Sequence, residues 1–276
     1  MSLLNNKREY FLQLVNVRTK QAIDDDAGKF QVYTKNTPTR PSIYNSAGVL
    51  QTSEVALGAG GYISETMLNG QIHFWTAISV TAVDISVLTN GGRAYFLKTI
   101  TPSQHRVDVD PEQREYMLTV AINDKGSVTT VKPLGFQLKK GMVLKDVIVH
   151  CTTAFGNATT ASNTVDFGVS SDTDGFYNGL LLQTTGIKLL DNTPQVLMST
   201  TGTFLSTKVG VLLKGSRAGG VTTQGFFFRR KYAPAASTNL TQKLVGARDA
   251  TATSATGKGY AHYIYDLFPS GQTSIL

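Results

Sequence analysis

Short runs of β-branched and aromatic residues, alternating apolar with polar and cut by Gly, Asn, Asp or Pro, constrain this chain more than any other feature. Phe30-Gln-Val-Tyr33, Gln71-Ile-His-Phe-Trp75 and Val83-Asp-Ile-Ser-Val-Leu88 alternate with period two, the spacing that turns one side of a strand to a core and the other to solvent. Asn90-Gly91-Gly92 then supplies a tight turn into Ala94-Tyr-Phe-Leu97, which reads as a hairpin. Tyr10 to Val17, Tyr116 to Ile122, Gly141 to Cys151, Thr164 to Val169, Leu180 to Gln183, Phe204 to Leu213 and Gly225 to Phe228 repeat the texture. No helix longer than a turn or two is expected, because Pro111 and Pro194 break the two best candidates.

Composition agrees and excludes several classes. Hydrophobic residues make up 41% and charged ones 16%, too apolar for disorder and too poor in charge for a helical bundle or coiled coil. The net charge of +7 is dispersed along the chain, so a general attraction to polyanions is expected but no specific nucleic-acid groove. One cysteine excludes an internal disulfide and a four-thiolate zinc site. No run reaches about eighteen apolar residues, so no membrane partner is expected. Met1 to Lys20 lacks the apolar core of a signal peptide, and synthesis in the cytoplasm is the expectation.

Ile100 to Glu115 carries Pro102 and Pro111 and interrupts the strand rhythm, which places a crossover near residue 112. The all-β reading then divides into two tandem antiparallel sandwiches, residues 1–112 and 113–232. Residues 233–276 begin with a segment rich in Ala, Thr, Ser and Gly and end in Tyr260-Ala-His-Tyr-Ile-Tyr-Asp-Leu-Phe268, which reads as an extended C-terminal arm. An aromatic end on a polar tether suggests docking, on the same chain or on a neighbour, and Tyr260, Tyr263, Tyr265 and Phe268 are its candidate partner contacts. The basic run Arg229, Arg230 and Lys231, like Lys139-Lys140, reads either as a solvated strand end or as a contact for phosphate or an acidic protein surface.

Motif chemistry is sparse. His150 and Cys151 are strand neighbours, so their side chains point to opposite faces and cannot share a proton. His73, His105 and His262 lack metal-ligand spacing. Asp24-Asp25-Asp26, Asp108 with Asp110, and Asp172 with Asp174 can each read as a solvated turn or a weak calcium site. No phosphate-cradling loop, nucleophile elbow or dinucleotide fingerprint appears, and no catalytic residue, metal or cofactor is expected. Trp75 with Phe74 and Tyr95 reads either as core or as a sugar-stacking platform.

Two passages resemble virion proteins of tailed bacteriophages. Gly28-Lys-Phe-Gln-Val-Tyr33, Thr37-Pro-Thr-Arg-Pro-Ser-Ile-Tyr44, Asn69-Gly-Gln-Ile-His-Phe74 and Val83 to Leu88 resemble a β-sandwich module of phage structural proteins. Lys140 to Val149, Thr153-Ala-Phe155 and Val165 to Phe176 resemble a jelly-roll-like domain of capsid-associated proteins. The resemblance implies a jelly-roll-like second domain and a non-enzymatic capsid decoration or cement protein. Its partners would be the major capsid protein and neighbouring copies of itself, as a trimer or dimer. The implied location is the outer capsid surface of the virion, after synthesis in the host cytoplasm. Two other readings stay open: a head-fibre, tail-fibre or receptor-binding component that recognises cell-surface carbohydrate, and a glycan hydrolase using Asp108, Asp110, Asp172 or Asp174.

Overall fold

The computed structural model describes residues 4–25, 28–51, 65–66, 69–113, 115–124, 131–155, 164–188, 208–209, 227–228, 232–245 and 257–268. Among them every regular element is a strand, and the all-β expectation holds.

Among the described residues, nine strands precede residue 110. A five-stranded sheet in the order β4-β3-β6-β1-β9 is formed by β1 (Lys7–Asn16), β3 (Ile43–Tyr44), β4 (Leu50–Gln51), β6 (Gln71–Ala77) and β9 (Arg106–Val109). A four-stranded sheet in the order β5-β2-β7-β8 is formed by β2 (Lys29–Thr34), β5 (Glu65–Thr66), β7 (Val83–Leu88) and β8 (Ala94–Ile100). Period-two alternation builds the core between them: Tyr10, Leu12 and Leu14 of β1 and Ile72 and Phe74 of β6 are buried with Phe30 and Val32 of β2. Phe74 stacks on Tyr10 at 5.0 Å and meets Phe30 at 5.9 Å, which brings the two sheets face to face.

The second half is a jelly roll. One sheet has the order β10-β19-β12-β15, from β10 (Glu115–Asn123), β12 (Met142–Thr153), β15 (Gly186–Lys188) and β19 (Lys258–Leu267). The other has the order β11-β18-β13-β14, from β11 (Val131–Leu138), β13 (Thr164–Val169), β14 (Asp172–Leu181) and β18 (Thr238–Val245). Counting these eight along the chain, the first pairs with the last, the second with the seventh, the third with the sixth and the fourth with the fifth. Such nested antiparallel pairing, as of one long hairpin rolled over on itself, is the double Greek key of the jelly roll. Between its sixth and seventh strands, β16 (Lys208–Val209) pairs with β17 (Phe227–Phe228).

This topology corrects the expected arm. Residues 238–245 and 258–267 are interior strands: β18 lies between β11 and β13, and β19 lies between β10 and β12. The composition of β18 hides it, since Leu240 and Leu244 are its only large apolar residues with side chains in the buried set. A strand paired on both sides is held chiefly by its backbone ladder, which composition does not record. At Gly259 of β19 an added Cβ would lie 2.3 Å from the His150 carbonyl oxygen, so the strand approaches β12 too closely for any side chain there.

The sandwiches also share a core. All six residues of β7 are buried, which a two-layer sandwich with a solvated outer face does not require. The third layer is the outer face of β10 and β19, and one hydrophobic cluster runs through both halves. Tyr33 of β2 accepts the Ala121 N–H at 3.2 Å and lies 2.6 Å from the Gln31 Oε1 that its hydroxyl donates to. Gln31 Nε2 donates to the Leu134 carbonyl of β11 at 3.1 Å. Tyr260 meets Tyr33 edge-on at 5.9 Å, and the Tyr265 hydroxyl donates to the Gly92 carbonyl at 2.6 Å. Polar and aromatic contacts of this kind, buried and mutually satisfied, fix one docking geometry.

Candidate functional site

The aromatic end does not dock outward. Tyr260, Tyr263 and Tyr265 are 8%, 0% and 0% exposed, a correction that follows from the central place of β19 in its sheet. Tyr263 and Tyr265 point between the jelly-roll sheets, where Tyr263 meets Phe176 at 6.1 Å and Tyr265 stacks on Tyr116 at 5.9 Å. Tyr260, of opposite parity, faces the seam with the first sandwich. Burial pushes all three hydroxyls above the ordinary tyrosine range. Phe268 is half-buried, and its N–H is tied to the Gly141 carbonyl at 2.8 Å. Arg229, Arg230 and Lys231 lie outside the described residues.

The carboxylate groups fall apart into structural roles. Asp110 takes a two-pronged contact from Arg18 at 3.2 and 3.0 Å, and Arg18 also reaches Glu112 at 2.8 Å. Asp108 is held by Arg106 at 2.8 Å and Lys20 at 3.1 Å. Hydrogen bonds from Arg106 and Arg18 hold Asp108 and Asp110, respectively, below the ordinary carboxyl range, which suits an ion-pair ladder and not a proton donor. This ladder lies along β9, the edge strand that runs parallel to β1. Asp172 and Asp174 stand on the other sandwich, at the start of β14, where a carboxyl-to-carboxyl hydrogen bond and burial raise Asp174. Nearby Asp166 is buried, raised by desolvation, and accepts the Gly179 N–H at 2.8 Å. Asp25 organises a turn by accepting the N–H groups of Gly28 and Asn90 at 2.5 and 2.7 Å. Among the described residues no three His, Cys, Asp or Glu side chains are grouped to hold a metal.

Cys151 faces the jelly-roll interior, donates to the Thr153 carbonyl at 3.3 Å and has its thiol pushed up by burial. His262 lies on the outer face of β19 beside Thr119 Oγ1 at 2.9 Å; burial first, then the charges of His150 and Lys98, pull it down to about 4. Of the two readings of Trp75 with Phe74 and Tyr95, the stacking platform does not assemble. Phe74 points into the first core and Tyr95 faces Tyr116 across the seam at 6.4 Å. Trp75 itself is 9% exposed, packed 4.2 Å from the His73 ring, with Glu9 and Tyr44 as its cross-strand neighbours. The residues that join the two halves, Gln31, Tyr33 and Thr119, were not singled out from sequence. In sequence Gln31 and Tyr33 alternate with Phe30 and Val32 and so read as the outward parity of their strand, although all four are buried.

No family model matches the chain, and no curated protein matches it. A solved acid-stable capsid structure of the Helicobacter pylori bacteriophage KHP30 is similar at 12% identity, over 56% of this chain and 89% of that one, with a TM-score of 0.28. So low a TM-score bears on neither fold nor function.

Proposed function

We propose that this chain is a non-enzymatic structural protein of a tailed-bacteriophage particle, a decoration or cement protein that binds the outer face of the head and stabilises it. In this reading it touches the major capsid protein and neighbouring copies of itself. The observation that carries the reading is the nested strand order of the second half, an architecture that viral capsid domains share with lectins and cupins. To that fold-level analogy the two phage-like passages add direction. The physical character of the molecule supports it as well. Of the acids weighed for catalysis, Asp108 and Asp110 on the first sandwich are spent on ion pairs, Asp172 and Asp174 on the second share a carboxyl-to-carboxyl hydrogen bond, and the seam between the sandwiches is held by buried hydrogen bonds. A carbohydrate-recognising fibre is less well supported, because the indole of Trp75 is covered.

Imaging of purified particles tests the proposal. Density for this chain repeated regularly over the shell is expected. Density only at the tail vertex, or absence of the chain from particles, would overturn it. Removal of the C-terminal residues does not serve as a docking test, because it takes a central strand out of the jelly roll.

A further inference from the structure

A cleft of about 330 Å³ opens where the first sandwich meets the jelly roll, lined by Lys29, Leu88, Asn90, Gln137, Lys139 and Ser237. Lys29 opens β2, Leu88 closes β7, and Asn90 belongs to the turn that follows. Gln137 comes from β11, an edge strand whose pairing with β18 is interrupted by an irregularity between Pro133 and Gln137. Two ammonium groups therefore converge on one small space, and none of the described residues lining it is acidic.

Lys139 is the half-buried member. Its Nζ donates to the carbonyls of Asn90 at 2.6 Å and Thr89 at 3.2 Å, and reaches Asn90 Oδ1 at 3.5 Å. Its ammonium is opposed by burial and by Lys29, and favoured by Asp25 behind the turn. Among the described residues whose charges act on Lys139, Lys29 and Asp25 balance each other, which leaves the Lys139 ammonium in excess at the cleft. Around it stand the neutral amides of Asn90 and Gln137, the hydroxyl of Ser237 and one apolar wall, Leu88.

We infer that this cleft is a socket for an acidic side chain presented by a neighbouring protein, its carboxylate between Lys29 and Lys139. The inference rests on the proposed role in a particle and names the chemistry of the contact. A carboxylate restores the missing charge and replaces the longest of the Lys139 contacts, that to Asn90 Oδ1, while the Asn90 amide is free to turn its NH₂ toward the newcomer. The methylenes of a glutamate pack on Leu88, and the amides and hydroxyl match the backbone that carries it.

Calorimetric titration of the intact chain with a tetraglutamate peptide, beside tetraglutamine and galacturonate, tests the socket apart from any particle. Tetraglutamate is expected to bind and tetraglutamine not to. Lys29→Gln is expected to weaken binding on the order of tenfold, and higher salt to weaken it further. Lys29 is exposed and lies at the end of its strand, so this variant keeps the fold; Lys139→Gln also releases the Asn90 turn and needs a melting curve beside it. No binding of tetraglutamate, equal binding of tetraglutamine, equal binding by Lys29→Gln, or tighter binding of galacturonate would each overturn the inference. The particle location can fail while the peptide binds, and the peptide can fail on a chain that does decorate heads, so the two readings are separable.

Discussion

The two sandwiches are built from similar strands and closed in different ways. In the first, the last strand, β9, pairs with β1 alone and forms a charged edge open to solvent, whereas in the jelly roll the last strand, β19, is paired on both sides. In the jelly roll the first strand is paired with the last, so that Thr119 and His262, 143 residues apart in sequence, share a hydrogen bond. An edge strand leaves one side of its backbone ladder unpaired. Nested closure makes the whole roll depend on its last strand, because the loop entropy of bringing the ends together is recovered only when both are in place.

Truncation before residue 258 should therefore have the largest effect of any change considered. It removes β19 from between β10 and β12, uncovers the partners of Ala261, Tyr263 and Tyr265, and should abolish cooperative melting of the jelly roll. Soluble yield and thermal melting followed by circular dichroism check this; a truncated chain that melts like the full one would erase the contrast between the halves.

Tyr33→Phe probes the seam itself. The ring stays, but the Ala121 N–H loses its acceptor in a buried place, and a loss of about 1–3 kcal/mol is expected in urea unfolding. Because one core runs through both halves, wild type should unfold in a single transition. Two separated transitions in wild type would show that the halves stand independently.

Acid should loosen the seam next. The unfolded imidazole takes a proton near its ordinary 6.5, whereas His262, facing Thr119, His150, Lys98 and Tyr260, holds off until about 4. Between those values the unfolded state binds more protons, so this contribution is complete above about 6.5 and is lost as the pH falls toward 4. His262→Gln should flatten the stability profile over that window, as read by melting temperature against pH. Asp166 and Asp174, both raised, act oppositely: their contribution is present below the ordinary carboxyl range and lost as the pH rises through their higher folded values. The comparison of wild type with His262→Gln removes their share.

The smallest effect belongs to the open edge. Asp110→Asn breaks the contacts from Arg18, yet Arg18 is 55% exposed in that pair, so no resolvable change in melting is expected, and any change should vanish in salt. A large loss would mean that the edge at β9 is as integral as the jelly-roll core.

Strand alternation made much of this legible. Val83 to Leu88 and Gln71 to Trp75 were strands by their spacing alone, and the cores follow from which parity is apolar. What escaped was long-range pairing. Tyr260 to Phe268 reads as an aromatic run whether it lies on a surface or inside a sheet, and only the neighbours on either side of β19 decide between them. The polar residues of the seam escaped for the same reason: Gln31 and Tyr33 look like the solvated parity of an edge until a second sandwich covers them. The candidate site was least legible. Lys139 was visible as a cation, but its convergence with Lys29 depends on how two distant turns meet.

Hydrogen exchange of the backbone amides across residues 258–267 tests the central claim most directly, that the far end of the chain closes the jelly roll. Protection equal to that of β12, lost only with global unfolding, is the expected result. Exchange as fast as an exposed tail, with β10 and β12 protected beside it, would contradict it.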